Sequence, residues 1–127
     1  MAKKILIVDD DRDYVEATKT LLESKGYSTV FAYNGEEGFE KAKTEKPDLI
    51  LLDVMMTNKT EGFDISRSIK EEESIKNTPV FVITGIRKDM KLPFKFEPDE
   101  DFLPVKKVME KPIKPNDLLK AIEEVIG

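Results

Sequence analysis

Three runs of four consecutive apolar residues punctuate the chain: Ile5-Leu6-Ile7-Val8, Leu49-Ile50-Leu51-Leu52 and Val80-Phe81-Val82-Ile83. Runs this short, apolar at every position and rich in β-branched residues, predict strands buried on both faces of a parallel sheet. Weaker strands are predicted at Ser28 to Ala32 and at Val105 to Glu110. Between the strands the apolar spacing lengthens to a helical period. Tyr14, Val15, Thr18, Leu21 and Leu22 mark a first helix stopped by Gly26, with Asp11, or Asp13 paired with Glu16, as its cap. Asn34-Gly35 turns into a second helix carrying Phe39 and Ala42 and followed by Pro47. A loop through Gly62 leads to a third, with Phe63, Ile65 and Ile69 inward and Glu71-Glu72-Glu73 outward. Asn116 is the expected cap of a last helix bearing Leu118, Leu119, Ile122, Val125 and Ile126.

Short apolar strands alternating with helices imply an α/β fold: a doubly wound, five-stranded parallel sheet covered on both faces. With 127 residues, no internal repeat and no linker, the chain is expected to be a single domain over 1–127 without an output domain. The exception to the alternation is residues 91–104, in the place of a fourth helix. Pro93, Pro98 and Pro104 rule out a continuous helix, and Glu97, Asp99, Glu100 and Asp101 make the stretch acidic around Phe94, Phe96 and Phe102. An ordered, irregular excursion is expected there.

Composition narrows the chemistry. A hydrophobic content of 39% suits a globular fold, and no apolar run approaches the roughly 20 residues that span a bilayer. Lys3 and Lys4 precede an apolar stretch, but it runs straight into Asp9-Asp10-Asp11, so it reads as a strand rather than an export signal. The chain has no cysteine, hence no disulfide framework, thiolate metal site or cysteine nucleophile. It also has no histidine, which removes the commonest general base and zinc ligand. A net charge of −5 disfavours nonspecific binding to a phosphate backbone. The expectation is a cytoplasmic protein with no membrane attachment and no direct nucleic-acid binding, whose chemistry rests on carboxylates, lysine, hydroxyls and a hard metal ion.

Ligands of an open parallel α/β sheet bind beyond the carboxyl ends of its strands. Those ends carry Asp9 and Asp10 after the first strand, Asp53 after the third, Thr84 after the fourth and Lys111 after the fifth. Converging carboxylates repel unless a cation joins them, and Mg²⁺, a hard ion with oxygen ligands, fits best. Lys111 adds a mobile positive charge and Thr84 a hydroxyl donor. The set suits an incoming phosphoryl group, with a carboxylate as the nucleophile that forms an acyl phosphate. Any one aspartate after a strand is ordinarily a turn residue or a helix cap, and Asp11 and Asp13 are assigned that role. The constellation of four strand ends is what a cap or turn does not explain.

Ile-Leu-Ile-Val-Asp9-Asp10-Asp11, Leu-Ile-Leu-Leu-Asp53, Val-Phe-Val-Ile-Thr84-Gly85 and Lys111-Pro112 resemble the motifs of response-regulator receiver domains of two-component signalling, from Lys3 to the C-terminus. The resemblance implies a flavodoxin-like fold and phosphorylation of Asp53 by a sensor histidine kinase or phosphotransfer protein. It implies that Asp10 binds Mg²⁺ or Mn²⁺, with Asp9 acting directly or through water and Met55 lending its backbone carbonyl. Thr84 and Lys111 would contact the phosphoryl group, the Lys111-Pro112 bond would be cis, and Met55 and Ile86 would flank the path of attacking water. Such a protein signals through contacts with a downstream protein; it is no enzyme beyond its own phosphorylation and dephosphorylation.

The chain departs from the family pattern in places. Thr57 stands where a proline is usual and Gly62 falls one residue late, so the loop after Asp53 is longer. Gly85 replaces a small alanine. Val108 occupies the position, three before Lys111, of an aromatic that normally rotates inward with the threonine; Phe102 is a candidate substitute. The missing aromatic and the proline-broken helix region over 91–104 support an alternative, a pseudo-receiver that binds partners without phosphate. A haloacid-dehalogenase-like phosphatase, suggested by Asp9-x-Asp11, leaves Asp53 unexplained in a chain short for that fold. A flavodoxin proper is disfavoured because Asp9-Asp10-Asp11 would repel the flavin phosphate.

Overall fold

In the computed structural model of the protein, residues 2–53, 67–84, 107–110 and 113–126 are described. Strands β1 (Lys4–Val8), β2 (Ser28–Ala32), β3 (Leu49–Asp53), β4 (Val80–Thr84) and β5 (Lys107–Glu110) form one parallel sheet in the order β2-β1-β3-β4-β5. Helix α1 (Arg12–Ser24) links β1 to β2 and α2 (Gly35–Glu45) links β2 to β3. A helical stretch over 67–71, α3, precedes β4, and α4 (Pro115–Ile126) follows β5.

The continuous apolar runs are explained by two separate cores, one on each face. Because successive side chains of a strand point to opposite faces, Ile5, Ile7, Leu49, Leu51, Phe81 and Ile83 pack against Val15 and Leu22 of α1 and Leu118, Ala121 and Ile122 of α4. The alternate residues Leu6, Val8, Ile50, Leu52 and Val80 pack against Ala42 of α2, Ile69 of α3 and Ile75 beyond it. The predicted doubly wound sheet is therefore present, with its central strands β1, β3 and β4 buried from both sides and β2 only partly covered.

Local signals set the helix limits. Of the two candidate caps of α1, Asp11 is the one used: its backbone is extended and its Oδ1 accepts from the Tyr14 N–H at 3.1 Å, while Asp13 lies within the first turn. The helix ends at Gly26, where φ is +92°, with Tyr27 N–H donating to Leu22 O and Gly26 N–H to Glu23 O, both at 3.1 Å. That pair of bonds is a Schellman motif, and it needs a left-handed residue at this point. Asn34 Oδ1 caps α2 by accepting from Glu37 N–H at 2.8 Å. Helix α2 sits close on β1 because Gly38 has no side chain: a Cβ there would lie 2.7 and 2.8 Å from the two methyls of Val8. On its outer side, Lys41 Nζ donates to the Phe31 carbonyl of β2 at 2.6 Å and lies 3.7 Å from Glu37.

Three expectations are corrected. Asn116 is not the cap of α4; Pro115 opens the helix and Leu118 N–H bonds back to Lys114 O at 3.1 Å. Proline favours that first position because its φ is already helical and the missing N–H has no intrahelical acceptor there. Helix α3 ends at residue 71, with Glu72 N–H making the last helical bond to Ser68 O at 3.1 Å, so Glu73 belongs to the turn that follows and Glu72 is only half exposed. That turn carries Ile75 into the core at 2% exposure, a burial that the helical period does not signal. Strand β4 also includes Thr84 as its last residue. Phe63, Ile65, the expected strand start at Val105 and the irregular stretch 91–104 lie outside the described residues.

Candidate functional site: a carboxylate cluster at the switch point

The strand order places the site. From β1 the chain winds outward to β2, and from β3 it winds the other way to β4 and β5, so the crevice beyond the carboxyl ends of β1 and β3 is the topological switch point. The register pairs Ile7 with Leu51 and Val8 with Leu52. One step further, Asp9 stands beside Asp53, both continuing the pleat of Ile7 and Leu51 on one face. Neighbouring strands are about 4.8 Å apart, so adjacent side chains on that rung meet.

Asp10 joins them from the next position, and one carboxylate oxygen from each of Asp9, Asp10 and Asp53 lies within 4.8 Å of the others. Asp9 is 1% exposed and Asp53 5%, whereas Asp10 is exposed at the rim. Asp9 is held on two sides. Its Oδ1 accepts from the Asp11 N–H at 2.9 Å, and its own N–H donates to Ala32 O at 3.0 Å, extending the β1–β2 ladder. Asp11 in turn caps α1, so strand end, acidic loop and helix start form one hydrogen-bonded unit.

This donor set fits a divalent cation. All three donors are carboxylate oxygens, two of them nearly buried, and such a group is stabilised by a hard ion that takes oxygen ligands and keeps several waters.

The sequence-derived site is thus assembled in part among the described residues. Asp9, Asp10 and Asp53 converge as expected. Thr84 is placed by its backbone at the end of β4, one residue past Ile83, which pairs with Asp53. Val108 pairs with Val82 in β5. Met55, Lys111 and Pro112 lie outside the described residues. Two neighbours of the cluster were missed. Gly38 lets α2 press on Val8, directly before Asp9; a glycine four residues before Ala42 was the available signal for a close helix face. Tyr33, the residue after β2, stands beside Asp9 on its other flank with the Arg12 guanidinium 4.4 Å from its ring centroid. The alternation Thr29, Phe31, Tyr33 marks it.

A parallel sheet in this order, with an acidic cluster at the β1/β3 switch point, defines a flavodoxin-like α/β protein built around an oxygen-donor site. The chain belongs to the response regulator receiver domain family, whose model matches residues 5–123. Members of this family are signalling modules rather than conventional enzymes. The chain is 40% identical over 85 residues to the alkaline phosphatase synthesis transcriptional regulatory protein PhoP of Bacillus subtilis (strain 168), a match covering 67% of this chain and 34% of PhoP. The match thus spans about a third of PhoP. It is 29% identical over 85 residues to the polar-differentiation response regulator DivK of Brucella anthropi, covering 67% of this chain and 68% of DivK. Among solved structures, a CheY-like response regulator receiver domain protein from Methanospirillum hungatei JF-1 superposes with a TM-score of 0.80 at 28% identity, covering 98% of this chain and 93% of the other. Chemotaxis response regulator CheY4 of Vibrio cholerae superposes with a TM-score of 0.82 at 25% identity, covering 99% of this chain and all of CheY4. Among the described residues no helix is long and apolar enough to cross a membrane.

Proposed function

We propose that the chain is a phosphoacceptor: Asp53 takes a phosphoryl group from the phosphohistidine of a sensor kinase or phosphotransfer protein, and the event is passed on through contacts with a downstream protein. The observation that carries this reading is the convergence of Asp9, Asp10 and Asp53 at the switch point, with Asp53 nearly buried at the end of its strand. An oxygen of Asp53 attacks phosphorus, the bond from phosphorus to the donor imidazole nitrogen breaks, and the imidazole leaves with that electron pair. Asp9, Asp10, Asp53 and the backbone carbonyl of Met55 would hold Mg²⁺ or Mn²⁺, which supplies positive charge to the phosphoryl oxygens. The Thr84 hydroxyl and the Lys111 ammonium are assigned to those oxygens from the ends of β4 and β5. The new charge then biases a pre-existing equilibrium between two surfaces. Composition and charge favour a cytoplasmic protein acting on proteins rather than on nucleic acid or membrane.

A second reading, a pseudo-receiver that works unphosphorylated, is favoured by Val108, which pairs with Val82 where the family carries its relay aromatic. Mg²⁺-dependent labelling by a small phosphodonor, read by intact-protein mass spectrometry, separates the two. Phosphate on the wild type and none on Asp53→Asn supports the acceptor. Phosphate retained by the variant overturns Asp53 as the acceptor, and an unlabelled wild type favours the pseudo-receiver.

A further inference from the structure

The rung that holds Asp53 and Asp9 extends one position further. Because Asp9 N–H donates to Ala32 O, Tyr33 is the next residue along it, on the outer strand. Its ring packs on the same face as the α1 and α4 core, and the Arg12 guanidinium stacks on it at 4.4 Å. Phe31 supports the ring at a centroid separation of 5.3 Å. Two strand spacings put the Tyr33 backbone about 10 Å from that of Asp53, and the guanidinium lies over the Tyr33 ring. Arg12 is itself exposed, at the first position of α1.

The charges around this corner are mostly negative. Asp9, Asp10 and Asp53 form the cluster, Asp11 and Asp13 flank Arg12 in the chain, Glu16 follows on α1, and Glu36 and Glu37 open α2. With the metal and Lys111 offsetting the cluster itself, the field of the flanking carboxylates still repels an anionic phosphodonor on its way to Asp53. Arg12 places one permanent positive charge inside that field, and the ring fixes where it stands.

We propose that Arg12, positioned by Tyr33, steers anionic phosphodonors to Asp53 and discriminates among them by charge. The inference rests on the acceptor reading and adds a donor preference to it. Arg12 touches no reacting atom; it is a specificity-determining residue, and Tyr33 a positioning residue. At about 10 Å in water, one such charge changes the encounter rate of a dianion about threefold at low ionic strength, and of a monoanion less than twofold.

The test compares phosphorylation rates of the full chain in saturating Mg²⁺ with acetyl phosphate, a dianion, and phosphoramidate, a net monoanion. Arg12→Gln is expected to lose about threefold with acetyl phosphate and less with phosphoramidate, the difference fading in about 0.5 M salt. Arg12→Lys and Tyr33→Phe should keep the wild-type donor ratio, whereas Tyr33→Leu should shift it as Arg12→Gln does. A merely structural role lowers the melting temperature or slows both donors equally. An unchanged donor ratio in Arg12→Gln, equal loss with both donors, or a shift favouring acetyl phosphate overturns the inference while leaving Asp53 as acceptor. A wild type that takes phosphate from neither donor overturns the acceptor reading and this inference with it.

Discussion

Asp9 and Asp53 follow directly on the last registered pair of β1 and β3, Val8 and Leu52, and a carboxylate oxygen of each lies within 4.8 Å of the other. Each stands two residues past the buried pair Ile7 and Leu51. The same pleat that buries an isoleucine against a leucine therefore sets a carboxylate against a carboxylate. Geometry that stabilises the core for several residues turns repulsive at its end. The protein holds this repulsion where a cation and a phosphoryl group are to bind.

That arrangement predicts an inverted effect of metal on stability. In chelator, Asp53→Asn should be more stable than the wild type by about 1 kcal/mol, a rise of a few degrees in melting temperature. Excess Mg²⁺ should raise the wild type more than the variant and close the gap, since an ion bound only by the folded state stabilises it by mass action. Thermal melts of both proteins in EDTA and in Mg²⁺ decide it; identical shifts on adding Mg²⁺ would count against a shared ion.

Replacing Gly38 by alanine sets two effects against each other. Helix propensity favours alanine by about 1 kcal/mol. The new Cβ would meet both Val8 methyls at 2.7 and 2.8 Å, and overpacking of this kind costs about 1–3 kcal/mol. Since both methyls are in the way, no rotamer of Val8 clears the contact, and net destabilisation is expected in urea unfolding. Val8→Ala should offset the loss, so the double variant is more stable than the sum of the single changes implies.

Asp11 and Asp13 are two residues apart and chemically alike, yet only Asp11 caps α1. Asp11→Ala should cost about 1 kcal/mol and Asp11→Asn much less, while Asp13→Ala should have little effect. Asp53 should still accept phosphate in Asp11→Asn. A stability loss at Asp13 equal to that at Asp11 would reverse the assignment.

By the resemblance to receivers, Met55 would flank the path of water to the acyl phosphate. An apolar side chain there excludes water, so Met55→Asn should shorten the lifetime of phosphorylated Asp53 by several-fold. Decay of the labelled protein after removal of the donor measures it; an unchanged half-life refutes the role.

The buried strands and the three carboxylates were legible in the sequence because each rests on a local signal: a fully apolar run, and an aspartate at its carboxyl end. What was less legible depends on contacts between distant elements. Nothing in the sequence chooses Asp11 over Asp13, because the choice rests on an extended backbone where Asp9 Oδ1 already takes the Asp11 N–H. Asn116 resembles a cap by type, but Pro115 one residue earlier claims the first helical position. Ile75 is buried from a turn, where no period exists to flag it. Tyr33 gains its place only through the lateral register of β1 and β2.

Strand β2 is an outer margin of the sheet, where a foreign strand could add by taking its unpaired backbone groups. Lys41 forestalls this. Its ammonium already occupies the Phe31 carbonyl and lies 5.1 Å from the centroid of that residue's ring, so an incoming chain would have to evict a charged side chain seated in place. Strand addition at this border therefore carries the added cost of displacing that lysine, one of the ways in which natural sheets keep an open edge from pairing with another chain.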